Sequence, residues 1–199
     1  DKVYILSARS AGRIMAPQEK SKYGQLFDKV NELAKQGAKN ELSLAQIERE
    51  AKALKKVDLP RAFSVLGAVA CLKGSLEDSR RYHEQSICLS NNDPEMVFNY
   101  STSLGRLGRF SEAMHYAQAA YDKSHNPDFL EHMIVSAIYL GLNTRAKSLI
   151  EEWESLTNRQ HEKKNLLDRD NSVVREEVEE MLQKDLDEYK DLWEELADT

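Results

Sequence analysis

The chain has 199 residues, of which 41% are hydrophobic and 31% charged, and it carries a formal net charge of −6. A chain of this length can bury a hydrophobic core without disulfides or a structural metal, so we expect it to fold alone. No segment approaches the ~20 apolar residues of a membrane span or resembles a secretory signal, which excludes the membrane-protein class and a membrane partner.

Cysteine usage points to a reducing compartment. Cys71 and Cys88 are the two cysteines of the chain, and neither belongs to a CxxC pair or stands beside a histidine cluster. We therefore expect two reduced thiols in a cytoplasmic protein, and not a disulfide between them.

Charge is distributed unevenly along the chain. Residues 1–60 contain 12 basic and 8 acidic side chains, whereas residues 175–199 contain 3 basic and 11 acidic ones. This charge asymmetry could attract an acidic partner to the amino-terminal region and a basic partner to the carboxyl-terminal region. It could also let the acidic carboxyl-terminal region dock on the basic amino-terminal region of its own chain. A solvated acidic helix face is the other interpretation.

Composition predicts an all-α fold. Glycine and proline are few, with 8 and 4 residues, and runs of β-branched residues are scarce. Ala, Leu, Glu, Lys and Gln dominate instead, and their summed propensities favour helix almost throughout the chain.

Residues 1–20 are predicted to be an amino-terminal lead segment. An apolar run at residues 3–6 precedes basic residues interleaved with serine, and the run suits a strand, a docking peptide or a disordered lead. Such basic residues can contact phosphate backbones, but no aromatic residues stand at stacking positions. The segment is therefore only a weak signal for nucleic-acid binding. Direct contact of this segment with nucleic acid is kept as the alternative to a protein-binding function.

Residues 21–58 are predicted to form a divergent helical pair or an amino-terminal cap. Apolar residues recur there at spacings of three and four, which is typical of amphipathic helices. The first stripe runs from Tyr23 to Ala34, and the second runs from Leu44 to Leu54. The pair lacks the proline and the small residue of the repeats that follow it.

Three prolines mark an internal repeat. Each is followed fourteen residues later by a glycine and nineteen residues later by a small residue. The sets are Pro60, Gly74 and Ser79, then Pro94, Gly108 and Ala113, and finally Pro127, Gly141 and Ala146. Successive prolines are 34 and 33 residues apart, a period typical of stacked helix hairpins. The sequence therefore predicts three repeats, at residues 60–93, 94–126 and 127–160.

Each repeat is predicted to be a helix hairpin with defined ends. Asp93 and Asn126 stand directly before a proline, as capping residues do before the first helical turn, and Asp58 is a weaker version of the same pattern. The glycines are predicted to end the first helices as left-handed residues. The small residues are expected where the two helix backbones of a hairpin approach each other.

The repeats resemble the tetratricopeptide repeat family. The matching residues are Phe63, Leu66, Gly67 and Gly74 in the first unit, the run from Gly108 to Ala113 in the second, and Leu140, Gly141 and Ala146 in the third. The third unit departs from the pattern because Met133 and Ile134 replace the Leu-Gly pair. The resemblance implies a right-handed superhelical array of antiparallel helix hairpins, an α-solenoid, over residues 60–160. It also implies a protein or peptide partner.

Some members of that family hold a carboxyl-terminal peptide with basic and amide side chains on the inner face of their first helices. Here only Asn99 fits such a clamp, and the corresponding faces carry no basic residues. The resemblance therefore implies a mixed, slightly acidic groove, and the predicted contact residues are Phe98, Asn99, Glu131, His132 and Tyr139. That these side chains merely fill space between hairpins is the alternative.

An acidic amphipathic helix is predicted at residues 172–199, after a polar connector at residues 157–171. We predict that Leu186, Tyr189 and Trp193 on its apolar edge dock on a partner or on the chain itself. A helix that covers the last hairpin is a second interpretation. A homodimer is a third, although Asp185 falls on one candidate seam and weakens the coiled-coil case.

No catalytic or metal site is predicted. The five histidines are scattered, and no spacing places two metal ligands on one helical turn. Phosphate-binding loops and nucleophile elbows are also missing, so we predict no enzyme activity and no cofactor. The sequence favours a protein–protein interaction module or adaptor. The alternative is a regulatory subunit in nucleic-acid metabolism whose basic amino-terminal region contacts nucleic acid.

Overall fold

The computed structural model describes residues 21–36 and 41–166, and every regular element in those ranges is helical. The helices are α1 Lys22–Lys35, α2 Glu41–Leu54, α3 Leu59–Leu72, α4 Leu76–Leu89, α5 Pro94–Arg106, α6 Phe110–Ser124, α7 Pro127–Tyr139 and α8 Asn143–Thr157, followed by a 3₁₀ helix at Glu162–Leu166. The all-α prediction is confirmed for this part of the chain. The lead segment 1–20 and the helix predicted at 172–199 lie outside it. None of the described helices is both long and apolar enough to cross a membrane.

The first helix of each predicted repeat begins as its sequence predicts. The side chains of Asp58, Asp93 and Asn126 accept hydrogen bonds from backbone amides of the first turn at 3.2, 2.8 and 3.0 Å. A proline occupies the first turn of α3, α5 and α7. Since these amides have no partner within the helix, each cap satisfies a donor that would otherwise depend on water. The predicted cap-plus-proline starts are confirmed.

The same three helices end at glycines with positive φ. At Gly74 φ is +79°, the amide of Gly74 donates to the carbonyl of Cys71, and the amide of Ser75 donates to the carbonyl of Ala70. Those two bonds satisfy carbonyls at the end of α3 that have no partner within the helix. Gly108 and Gly141 also have positive φ, +79° and +65°. The predicted glycine ends are confirmed.

The second helices end differently, at residues that have a Cβ. After α4, Asn91 and Asn92 have φ values of +55° and +58°, and after α6 and α8, His125 and Asn158 have φ values of +51° and +53°, all in the left-handed region. Asn92, His125 and Asn158 follow one another at intervals of 33 residues, so left-handed helix ends recur with the repeat. Asparagine and histidine are both found in this conformation more often than most residues that have a Cβ.

The chain divides into two compact units at Leu107 and Gly108, inside the second predicted repeat. In the first unit, α3 packs against α1, α2, α4 and α5. It is consequently buried almost all round. Its buried residues are Ala62, Ser64, Val65, Leu66, Gly67, Ala68, Val69, Ala70 and Cys71.

In the second unit, α7 lies between α6 and α8 and packs against both. The small residues predicted at the close approaches, Ala113 of α6 and Ala146 of α8, are fully buried. Large apolar side chains fill the rest of this core. They are Leu130, Met133 and Ile134 from α7 and Leu149 and Ile150 from α8.

Candidate functional site

Asn99, the predicted clamp residue, is engaged within the first unit. Its Nδ2 donates to Tyr23 Oη at 2.7 Å and to Ser64 Oγ at 3.2 Å, so the amide joins α5 to α1 and α3. Burial, together with the nearby charge of Glu95, raises the pKa of Tyr23 well above its usual value, which keeps the phenol neutral. Asn99 therefore has a structural role here, and its role in a partner groove stays a prediction.

A second link joins α1 and α5 further along the same face. Arg106 Nη2 donates to Asn31 Oδ1 at 2.9 Å, and burial lowers the pKa of Arg106. The resemblance assigns Ser64 and Ala68 to the groove side of α3, and both are buried, Ser64 as a partner in the first link. In the first unit, helix α1 thus covers that side of α3.

Phe98 also lies in the first unit. Its side chain is half-buried, and its carbonyl oxygen accepts a hydrogen bond from Thr102 Oγ1 at 3.1 Å. Because it precedes Asn99 on α5, the two side chains point in directions about 100° apart on a helix. Phe98 remains partly accessible to a partner.

Glu131, the acidic member of the predicted groove, is held in the second unit by the chain that follows α8. His161 Nε2 donates to Glu131 Oε2 at 2.5 Å, and Lys163 Nζ lies 2.5 Å from Glu131 Oε1. Burial by itself would raise the pKa of Glu131, but the hydrogen bonds from these two residues and the charge of Lys163 lower it to about 2. The carboxylate is thus ionised and fully engaged.

His161 is itself fixed from several sides. Its ring is buried and meets the Trp153 ring edge-on at 4.9 Å, and its backbone amide donates to Glu154 Oε1 at 2.9 Å. The amide of Lys163 donates to His161 Nδ1 at 3.1 Å, which assigns the ring proton to Nε2. Within the predicted connector 157–171, residues 162–166 form the 3₁₀ helix, and His161 and Lys163 contact Glu131 of α7. No local pattern in that polar run signals the contact.

The other two predicted groove residues of the second unit differ in exposure. His132 is buried, whereas Tyr139 is half-buried and stacks on Phe110 with ring centroids 4.3 Å apart and planes 1° apart. That stack fixes the end of α7 against the start of α6. Phe98 and Asn99 belong to the first unit and the remaining three residues to the second, so a single groove lined by all five stays a prediction.

A surface that sequence reasoning missed lies on the first unit, where α2 and α4 both pack on α3. Lys55 Nζ sits 4.4 Å from the ring centroid of Phe63 and 6.0 Å from that of Tyr82. The two rings are stacked at 6.0 Å, and the Arg81 guanidinium lies 5.2 Å from the Tyr82 centroid. We call these four residues, Lys55, Phe63, Arg81 and Tyr82, the basic-aromatic face.

Further charges border the basic-aromatic face. Glu48 receives hydrogen bonds from both Lys52, at 2.6 Å, and Lys73, at 2.5 Å, and these bonds lower the pKa of Glu48. Arg81 pairs with Asp78 at 2.7 Å. Each of these pairs is largely exposed, so each adds little to stability. Their main effect is to place several cations on one side of the unit.

Neither thiol nor any acidic cluster in the described ranges offers obvious chemistry. Cys71 is buried, its Sγ donates to the carbonyl of Ser103 at 3.3 Å, and burial raises its pKa to about 11. Cys88 is exposed, and the two cysteines are not bonded to each other. No group of three or more His, Cys, Asp and Glu residues among residues 21–36 and 41–166 could hold a metal ion.

Comparison with known proteins adds no assignment, since no family model, no curated protein and no solved structure matches this chain.

Proposed function

We propose that this protein is a helical-repeat interaction module, an adaptor that binds a protein or peptide partner in the cytoplasm. In this proposal, residues 60–160 form a right-handed superhelical array of helix hairpins of the tetratricopeptide type. The observation that supports this proposal is that the same helix-start and helix-end residues recur along the chain. A capping Asp or Asn, a first-turn proline and a left-handed glycine return at intervals of 33 or 34 residues.

Repeated hairpins favour a binding role for a physical reason. A single hairpin cannot bury its apolar face, so neighbouring hairpins stack, and stacking produces extended surfaces on which several helices present side chains together. In the described chain, α3 and α7 are the helices most enclosed by their neighbours. The flanking helices then carry the exposed positions that a partner can reach.

Three surfaces are available for the partner in this proposal. Phe98 and Tyr139 are the predicted groove residues that the structure leaves half-buried. The acidic segment 172–199, with Leu186, Tyr189 and Trp193, is the second surface, and it lies outside the described residues. The basic-aromatic face is the third.

The test is affinity capture from nuclease-treated lysate at low and high salt, followed by rebinding of each captured protein in purified form. Five proteins are compared: the whole chain, the chain without residues 172–199, and the variants Phe98→Ala, Tyr139→Ala and Lys55→Glu/Arg81→Glu. The matched control is Leu156→Ala, which shortens an exposed apolar side chain on α8. We expect one discrete protein to bind directly, and we expect at least one of the four changes to these surfaces, but not the control, to weaken its binding.

The alternative function gives a different result in the same experiment. If the basic amino-terminal region contacts nucleic acid, the captured material is nuclease-sensitive and binding falls steeply with salt, because phosphate contacts release counterions. If only such material is recovered, the adaptor hypothesis is abandoned in favour of a regulatory subunit of nucleic-acid metabolism. Failure of every purified candidate to rebind would contradict the adaptor proposal.

A further inference from the structure

The basic-aromatic face combines positive charge with aromatic surface at one place. Lys55 follows directly after α2, Phe63 belongs to α3, and Arg81 and Tyr82 belong to α4, so three successive parts of the chain build the face. Tyr82 and Phe63 also pack against the buried core of the first unit, which fixes the rings. Lys55 Nζ lies 4.4 Å from the Phe63 ring centroid and Arg81 Cζ lies 5.2 Å from that of Tyr82, so each cation is within reach of the attraction between a cation and an aromatic ring.

The charge on this side of the unit is not balanced. Lys52 and Lys73 share one carboxylate, that of Glu48, and Arg81 is paired with Asp78. Lys55 adds a further cation whose ammonium group lies against the rings. Among these cations, Lys55 contacts the two rings and pairs with neither carboxylate, so its ammonium group can attract an anionic group.

Apolar surface continues beyond the charges. Leu89 lies seven residues after Tyr82 on α4, which places it on the same side of the helix, and it is 51% exposed. A partner that matches this surface needs carboxylates for the cations and an apolar side chain for Leu89. An amphipathic acidic segment has both.

Nucleic acid fits the same surface less well. The Tyr82 ring already contacts Phe63, Lys55 and Arg81, so it is poorly placed to stack on a base. We infer that the basic-aromatic face binds an acidic, leucine-containing segment of a partner protein. This inference rests on the proposed adaptor function and names the partner's chemistry.

Peptide titration with charge reversal tests the inference directly. The probes are a labelled peptide built from Glu, Leu and Tyr, its counterpart with Lys in place of Glu, and single-stranded and double-stranded DNA. The whole chain is compared with Lys55→Glu/Arg81→Glu. The control is Lys35→Glu/Arg145→Glu, which changes the net charge equally at exposed positions elsewhere. Circular dichroism and urea denaturation check folding, and Lys55→Gln/Arg81→Gln serves if the reversal unfolds the unit.

We expect the acidic peptide to bind the whole chain and to lose at least about tenfold in affinity for the face variant, against about twofold or less for the control. The face variant with two glutamates should in turn gain affinity for the Lys peptide. Equal losses in both variants would overturn the inference, since they would show attraction by net charge alone. It is also overturned if the acidic peptide does not bind, or if DNA binds in its place.

Failure of this inference is distinguishable from failure of the adaptor function. If the face variant still rebinds the purified partner with unchanged affinity, the adaptor function stands and the basic-aromatic face is not its site. If no partner rebinds any form of the chain, the adaptor function itself fails.

Discussion

Gly67 of α3 and His83 of α4 approach so closely that a Cβ on Gly67 would lie 2.6 Å from His83 Cδ2. His83 has little room to yield. Its ring is fully buried, and His83 Nε2 is hydrogen-bonded to Ser103 Oγ at 2.8 Å. The ring also stacks on that of Tyr100, with centroids 5.1 Å apart. The absence of a side chain at Gly67 therefore sets the distance between the two helices of the first predicted repeat.

Gly67→Ala should lower the free energy of unfolding by about 1–3 kcal/mol, because the methyl group overpacks a site that cannot relax. Urea denaturation measures the change. In a His83→Ala background the cost of Gly67→Ala should shrink by at least about 0.5 kcal/mol, since the clashing ring is gone. Gly24→Ala is the control: its Cβ would meet Ser21 Oγ at an ordinary 3.5 Å, so no loss is expected. Equal losses at both glycines would contradict the packing argument.

Gly74→Ala isolates backbone strain from packing. No heavy atom lies within 4 Å of the position that its Cβ would take, yet φ is +79°. The substitution should cost about 1–2 kcal/mol from the left-handed conformation alone. His83→Ala should leave this cost unchanged, unlike that of Gly67→Ala. A melting temperature equal to that of the unmodified chain would show that the end of α3 rearranges at no cost.

His83 should make the stability depend on pH. Burial, helped by the nearby charge of Arg106, lowers the pKa of His83 from 6.5 to about 3, so the folded protein keeps the ring neutral. Below pH 6.5 the unfolded chain binds a proton that the folded chain does not, and stability falls as the pH drops toward 3. The loss from this group should approach about 1.4 kcal/mol per pH unit.

Denaturation at pH values between about 6.5 and 5, above the range of ordinary carboxylates, measures this slope. His83→Gln should abolish most of it. The matched control is His115→Gln on the exposed side of α6, which should leave the slope in place. A slope that survives in His83→Gln would assign the pH dependence to another group.

Glu131→Gln should destabilise the second unit by about 1.5–3 kcal/mol at neutral pH, because it weakens charged hydrogen bonds to His161 and Lys163. The pKa of Glu131 falls from 4.5 to about 2, so the contribution of the carboxylate is complete above pH 4.5 and is lost as the pH falls through about 2. The difference between the two proteins should shrink over that range. Glu162→Gln, at a far more exposed carboxylate, is the control and should change little.

Local sequence patterns were sufficient to predict where the first helices of the repeats begin and end. Asp93 and Asn126 stand next to the prolines that they precede, and Gly74 marks a turn by itself, so each signal lies within a few residues. The left-handed ends of the second helices were not predicted because Asn92, His125 and Asn158 are not all of one residue type, and none of them is a glycine.

Long-range contacts account for what the sequence did not predict. Tyr23 and Asn99 are 76 residues apart, and Glu131 and His161 are 30 apart, so neither pair leaves a spacing that can be read along the chain. The basic-aromatic face was not predicted for the same reason. Lys55 follows α2, Phe63 lies on α3 and Tyr82 lies on α4, and each residue alone is an ordinary member of an amphipathic pattern.

The enclosure of α3 decides where the chain can be cut. Leu26 and Val30 of α1, and Leu44 and Ile47 of α2, form one core cluster with α3. A fragment trimmed to the three repeats at 60–160 would expose that flank of α3 to water, and contiguous apolar surface of this kind promotes aggregation. The smallest independently folding piece of the first unit therefore includes the divergent pair, although that pair is the part least like a repeat.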